Sequence, residues 1–77
     1  MLKRLSDMRP MQRGTIAFVD PPEAVQALIE MGCGVGESVK VAHVTPAKGP
    51  MAIFSGGRKI ALRREAAQAL WIEVEGG

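Results

Sequence analysis

The stretch DPPEAVQALIEMGCGVG, residues Asp20 to Gly36, decides how this chain is organised. Its spacing predicts a short helix with both ends marked. Asp20 is placed to accept a backbone hydrogen bond as N-cap, with Glu23 three residues on as an acidic variant of the capping box. Pro21 and Pro22 fall in the first turn, where the missing N–H is no loss. Val25, Leu28 and Ile29 stand at i, i+3 and i+4, and Ala24, Ala27 and Met31 widen the apolar stripe. Gly32 follows at the C′ position, where left-handed backbone favours glycine.

Strand patterns flank this helix on both sides. Toward the N-terminus, GTIAFVD (Gly14 to Asp20) predicts a strand with Ile16 and Phe18 on one face and Thr15, Ala17 and Val19 on the other. Before it, Leu2, Leu5 and Met8 recur every third residue, as in one helical or 3₁₀ turn, and Pro10 ends that turn. Toward the C-terminus, SVKVAHVT (Ser38 to Thr45) predicts a second strand. Val39, Val41 and His43 share one face of it, and Lys40, Ala42 and Val44 the other. PAKGP (Pro46 to Pro50) reads as a turn in which Gly49 is free to take positive φ. MAIFS (Met51 to Ser55) and RKIALR (Arg58 to Arg63) predict strands joined through Gly56 and Gly57. Arg64 to Leu70 is alanine-rich and predicts two helical turns. Trp71 to Glu75 alternates again, with Ile72 and Val74 inward.

The resulting order is strand, helix, three strands, short helix, strand, over a single domain of residues 1–77. The fold class is mainly β: five short strands closing into a small barrel that removes its own sheet edges. The capped helix is expected to cover one open end, burying Leu28 and Ile29 at roughly 1.5–3 kcal/mol each.

Composition narrows the function classes. At 77 residues a chain buries only about 60% of its unfolded surface, so the core has little to spare. A hydrophobic fraction of 47% is that of a globular domain, not a disordered one. The single cysteine, Cys33, excludes an internal disulfide and suits a reducing compartment. No apolar run reaches the length of a membrane span, and MLKRLSDM at the N-terminus lacks a signal-peptide core, so a cytosolic protein is expected. A formal charge of +2 is mild. Lys3, Arg4, Arg9 and Arg13 cluster early, and Arg58, Lys59, Arg63 and Arg64 cluster late. With two Phe, one Trp and no Tyr there is little surface for base stacking, so these clusters read as solvated faces and no nucleic acid is expected.

The motifs that carry chemistry are weak. Gly32, Gly34 and Gly36 have the density of a phosphate loop, but they follow a helix and precede a strand, which gives the helix dipole the wrong sign for an anion. Cys33 and His43 are the residues that a metal site would have to use. Two ligands fall short of a closed tetrahedral site, which a second subunit or a carboxylate would have to complete. Cys33 reads as a small buried hydrophobe and His43 as a strand residue near the surface. No orienting acid or oxyanion hole accompanies them, so the chain is not expected to be an enzyme, and no cofactor is implied.

In order and spacing these segments resemble the FeoA family, small accessory proteins of bacterial ferrous iron uptake. Leu5 to Pro10 followed by Gly14 to Ile16 is similar to that family's leading segment and first strand. Leu28 to Gly32, then Gly36 and Val39 to Val41, resembles its helix, glycine turn and second strand. Pro46 to Pro50 resembles its proline-bounded turn, and Ile60 to Ala66 its late strand-to-helix signature. Met11 stands where the family often has glycine, Val35 replaces a common proline, and Cys33 and Gly34 stand where larger apolar residues are usual. The resemblance implies an SH3-like barrel and a partner, the membrane GTPase transporter FeoB approached from its cytoplasmic side. Contact residues are then expected at Gln26, Glu30, Met31 and Cys33, flanking the helix stripe and its exit turn. A homo-oligomer is left open. The same barrel forms the C-terminal domain of DtxR-type metal-dependent repressors, an alternative reading for which 77 residues leave no room for the accompanying DNA-binding domains.

Overall fold

In the computed structural model, which describes residues 1–76, one six-stranded antiparallel sheet wraps around the core. The strands are β1 (Leu2–Arg4), β2 (Arg13–Val19), β3 (Ser38–Val44), β4 (Met51–Ser55), β5 (Arg58–Leu62) and β6 (Leu70–Val74). Two six-residue helices, α1 (Val25–Glu30) and α2 (Arg64–Ala69), and 3₁₀ turns at Leu5–Asp7 and Pro22–Ala24 complete the chain. The strand order is β1-β6-β2-β3-β4-β5. Leu5, Met8, Ile16, Leu28, Val41, Met51, Ile53, Leu62, Leu70 and Ile72 form the centre of the core. Ile72 and Val74 point inward, as their alternation predicts.

The expected closed five-stranded barrel is corrected in two respects. Leu2 opens a short sixth strand on β6, its backbone pairing opposite Glu73. Three residues are too few for a period-two pattern to stand out, so their spacing of three suggested a turn. The sheet also keeps two edges, β1 and β5, which do not pair with each other. Side chains close that seam. α2 packs on the Leu5–Asp7 turn. The half-buried Arg64 donates from Nη1 to the Ser6 carbonyl at 3.2 Å and from Nη2 to the Thr45 carbonyl at 3.3 Å. One guanidinium thus ties the turn after β1 to the loop after β3.

Two bulges bend the sheet into its curve, and both invert the predicted faces. Register shifts on β2 between Ile16 and Phe18, where Ala17 is the extra residue, and on β3 between Val41 and His43, where Ala42 is. An added residue reverses the alternation beyond it and sharpens the local twist. Phe18 and His43 therefore face solvent instead of sharing the face of Ile16 and of Val41. Val19 and Val44 turn in against the core.

The helix after β2 is shorter than its punctuation predicts, and Asp20 does not cap it. A residue before proline is pushed out of the helical region, and Pro21, which precedes Pro22, is extended at φ −78°, ψ 154°. Helical backbone can begin only after it, as a 3₁₀ turn, and the N-cap of α1 is Ala24. The Asp20 amide donates instead to the Ala69 carbonyl at 2.9 Å. Ala24 and Leu28 face the core, and Ile29 is exposed, contrary to the expected burial.

The Pro46–Pro50 turn is also built differently. Ala47 and Lys48, not Gly49, take positive φ, at 60° and 61°. Gly49 is needed for space: a Cβ there would lie 2.7 Å from Thr45 Cγ2. Met11 also takes positive φ, at 76°, a conformation that glycine adopts most readily.

Replacing Arg64 with Met should strip two carbonyls of a charged donor and destabilise the fold by about 2–3 kcal/mol. Arg63, one residue away and exposed, should tolerate the same change within about 0.5 kcal/mol. Thermal or urea unfolding of the two variants checks both.

Candidate functional site

The exit of α1 is one of the places where apolar side chains are left outside the core. Its backbone explains the arrangement. Gly32 sits at φ +90°, its N–H donating to the Ile29 carbonyl at 2.9 Å, and the Cys33 N–H donates to the Leu28 carbonyl at 2.8 Å. This pair of bonds is the Schellman motif, with Cys33 at C″ buried against the same core as Leu28. The positive φ is what favours glycine here; Arg58 Nη2, which lies near the place of the missing Cβ, ends a flexible side chain that can move aside.

Once Leu28 and Cys33 are anchored, the neighbouring residues must point away. Ile29 is 51% exposed, Met31 37% and Val35 64%. Ile29 Cγ1 reaches to 3.8 Å from where a Cβ on Gly34 would be, so Ile29 and the Gly34–Val35 turn adjoin. On the exposed side of α1, Gln26 Nε2 donates to Glu30 Oε2 at 3.3 Å, one helical turn apart. Ile29 and Val35 thus leave apolar surface at this end of the helix, with the exposed Met31 at its C-cap and the polar pair Gln26 and Glu30 along it.

Of the four contact residues expected from the sequence, Gln26, Glu30 and Met31 lie at this surface. Cys33 does not; it is fully buried. Ile29 and Val35, not among the four, are exposed at the same end of the helix. Val35 stands between Gly34 and Gly36, a sequence with no strand or helix to bury it, and that signal was available. Ile29 was masked by its place in the apolar stripe.

The other constellations are not assembled. Cys33 is buried and His43 faces solvent beyond the β3 bulge. Among the described residues no group of three His, Cys, Asp or Glu side chains stands where it could hold a metal ion. The late basic cluster is dispersed: Arg58 stands against Gly32, Lys59 opposite Phe54, and Arg64 spans the seam. No helix among the described residues is long and apolar enough to cross a membrane.

Comparison with known proteins places this geometry in context. The FeoA domain model matches residues 3–74. A crystal structure of an iron uptake regulatory protein, FeoA, superposes with a TM-score of 0.84 at 28% identity, covering 96% of this chain and 97% of that one. FeoA of Stenotrophomonas maltophilia complexed with zinc, a prokaryotic SH3 domain protein, gives 0.73 at 23% identity over 95% and 89% of the two chains. A manganese-dependent transcriptional repressor gives 0.82 at 20% identity over 92% of this chain but 40% of its own length, a likeness of fold alone. The fold is therefore SH3-like. No curated protein matches the chain by sequence.

Burial pushes the Cys33 thiol up; Arg58 opposes the shift and Glu37 adds to it. The folded chain therefore holds the proton more tightly than the unfolded one. The stability this confers is complete below the ordinary thiol range, about 8.5, and is lost as pH rises through and beyond it. Unfolding midpoints measured from pH 7 to 10 should fall more steeply for the wild type than for Cys33→Ala, by at most about 1.4 kcal/mol per pH unit.

Proposed function

Because the chain belongs to the FeoA family, we propose that it is an accessory protein of ferrous iron uptake that docks on the cytoplasmic side of a FeoB-type GTPase transporter. The patch at the exit of α1 is the docking surface. Its exposed apolar trio, Ile29, Met31 and Val35, is the observation that carries this reading. A domain this small leaves such side chains outside at the expense of its core, and contiguous exposed apolar surface rimmed by polar groups is the usual mark of a protein contact. Aliphatic and methionine side chains at its centre would be dehydrated on contact, while Gln26 and Glu30 fix orientation at the rim.

The patch is modest, which suits a regulatory and reversible encounter of less than about 1,200 Å². The iron is the transporter's cargo and need not meet this chain. Residence in the cytoplasm follows from the same partnership. The likeness to the repressor supports a shared barrel and carries no DNA-binding role.

Replacing Ile29 or Val35 with Glu should weaken binding to the cytosolic part of the transporter about five- to thirtyfold, the range of a contact worth 1–2 kcal/mol. Glu30→Lys should weaken it in the same direction. All three positions are exposed, so thermal midpoints should stay within about 2 °C of wild type. Co-purification with calorimetry checks the binding, and undiminished affinity in both Glu variants contradicts the assignment.

A further inference from the structure

All three aromatic residues of the chain lie outside the core: Phe18 and Phe54 are exposed and Trp71 is half-buried. In a small domain this is a conspicuous loss, since buried aromatics contribute more apolar area than any other side chain. Two of them account for each other. The Phe18 ring stacks on Trp71 at 5.5 Å and 11°, and Arg4 covers the Trp71 ring at 4.8 Å. Phe54 has no such partner, and it stands 45% exposed in the middle of a row of cations.

The register defines that row. Arg13 on β2 stands opposite Lys40 on β3, Lys40 opposite Phe54 on β4, and Phe54 opposite Lys59 on β5. Val39, Val41, Ile53 and Ser55, the sequence neighbours of Lys40 and Phe54, are buried, so the four residues share the outer face. At about 4.8 Å between strands the row is about 14 Å long. Like charges placed directly opposite each other, as Arg13 and Lys40 are, destabilise a sheet. Glu75 lies across from Arg13 at the end of the row, its N–H donating to the Arg13 carbonyl at 2.8 Å, so Arg13 has one acidic neighbour, whereas Lys40 and Lys59 have none in register. The one ion pair among the described residues joins the Met1 ammonium to Glu73.

We propose that this face is a docking surface for an anionic phospholipid bilayer, with Arg13, Lys40 and Lys59 meeting headgroup phosphates and Phe54 entering the interface between them. Charge complementarity supplies the attraction, because the row offers three cations and no paired acid. The aromatic at its centre supplies the apolar contact that holds interfacial anchors in place, and long cationic stems reach past it to the headgroups. Shape favours a flat partner over a strand of nucleic acid. Single strands are held in grooves lined by several stacking rings, whereas this row lies on the convex side of a wrapped sheet and holds one ring. The clefts lined by Arg4, Asp7 and Glu65 and by Lys48, Arg63 and Glu65 do not include Arg13, Lys40, Phe54 or Lys59. The inference stands apart from the transporter partnership, since lipid alone is the ligand.

The test is sedimentation of the purified full chain with vesicles of phosphatidylcholine alone or with about one third phosphatidylserine, at low and high salt. Partition into the mixed vesicles, its absence with phosphatidylcholine alone and its loss at high salt are expected. Lys40→Gln and Lys59→Gln should each lower partition about fivefold, the worth of one cation at such a surface. Phe54→Ser should lower it further at unchanged charge. Lys40→Gln also relieves the like-charge pair, so its thermal midpoint should equal or exceed that of wild type. If it falls instead, the exposed Lys59→Gln alone decides. No partition into anionic vesicles at low salt overturns the proposal. So does equal partition of Lys59→Gln and wild type, or binding of a single-stranded oligonucleotide through these residues with none to vesicles.

Discussion

The seam between β1 and β5 is the constraint on which this molecule turns. Six strands, two of them edges, wrap a core too small to be sealed by backbone hydrogen bonds alone. Arg64, which follows β5, bridges it by donating to the Ser6 carbonyl after β1, and it is held in place by the Thr45 carbonyl after β3. A guanidinium suits this task because its donors point in fixed directions from one planar group and remain charged at any working pH. The surrounding structure serves the same closure. α2 follows directly on β5 and delivers Arg64 to the gap, and the bulges at Ala17 and Ala42 bend β2 and β3 so that the ends of the sheet approach each other.

Closure of this kind consumes the interior. Every inward position along β2, β3, β4 and β6 is committed to the core, and the one soft nucleophile, Cys33, is spent as the hydrophobe that ends α1. What is left for recognition lies outside, at the exit of α1 and on the outer face of the sheet. These surfaces share a physical signature. Each leaves an apolar group in water that the fold had reason to bury: Ile29 and Val35 in one case, Phe54 in the other. The same departure from the stability optimum marks sites of contact in proteins generally. For a member of the FeoA family, a role through contact with a transporter agrees with that distribution.

Much of the fold was legible in the sequence, and the failures share a cause. β4, β5 and β6, and β3 as far as Val41, follow from alternation and from the Gly56–Gly57 turn because local pattern and tertiary burial agree there. Gly32 at C′ was legible for the same reason. Phe18 and His43 were assigned to the wrong face because a bulge leaves no mark on composition when the inserted residue is a small alanine. Ile29 was assigned to the core because an amphipathic stripe of six helical residues fixes its phase only to within one position. Asp20 was a sound cap on paper; the steric effect of Pro22 on Pro21 overrode it. Of the proposed surface, the exposure of Gln26, Glu30 and Met31 was legible from their place beside the stripe, whereas the burial of Cys33 was not legible without knowing which way the exit turn faces.

Backbone amide shifts recorded while the cytosolic part of a FeoB-type transporter is added to labelled protein test the central claim most directly, that the interior is structural and recognition is confined to the surface. The account predicts perturbed amides at Gln26, Ile29, Glu30, Met31 and Val35, with Ser6, Thr45 and Arg64 unmoved. Shifts centred on the seam, with the exit of α1 silent, would contradict it.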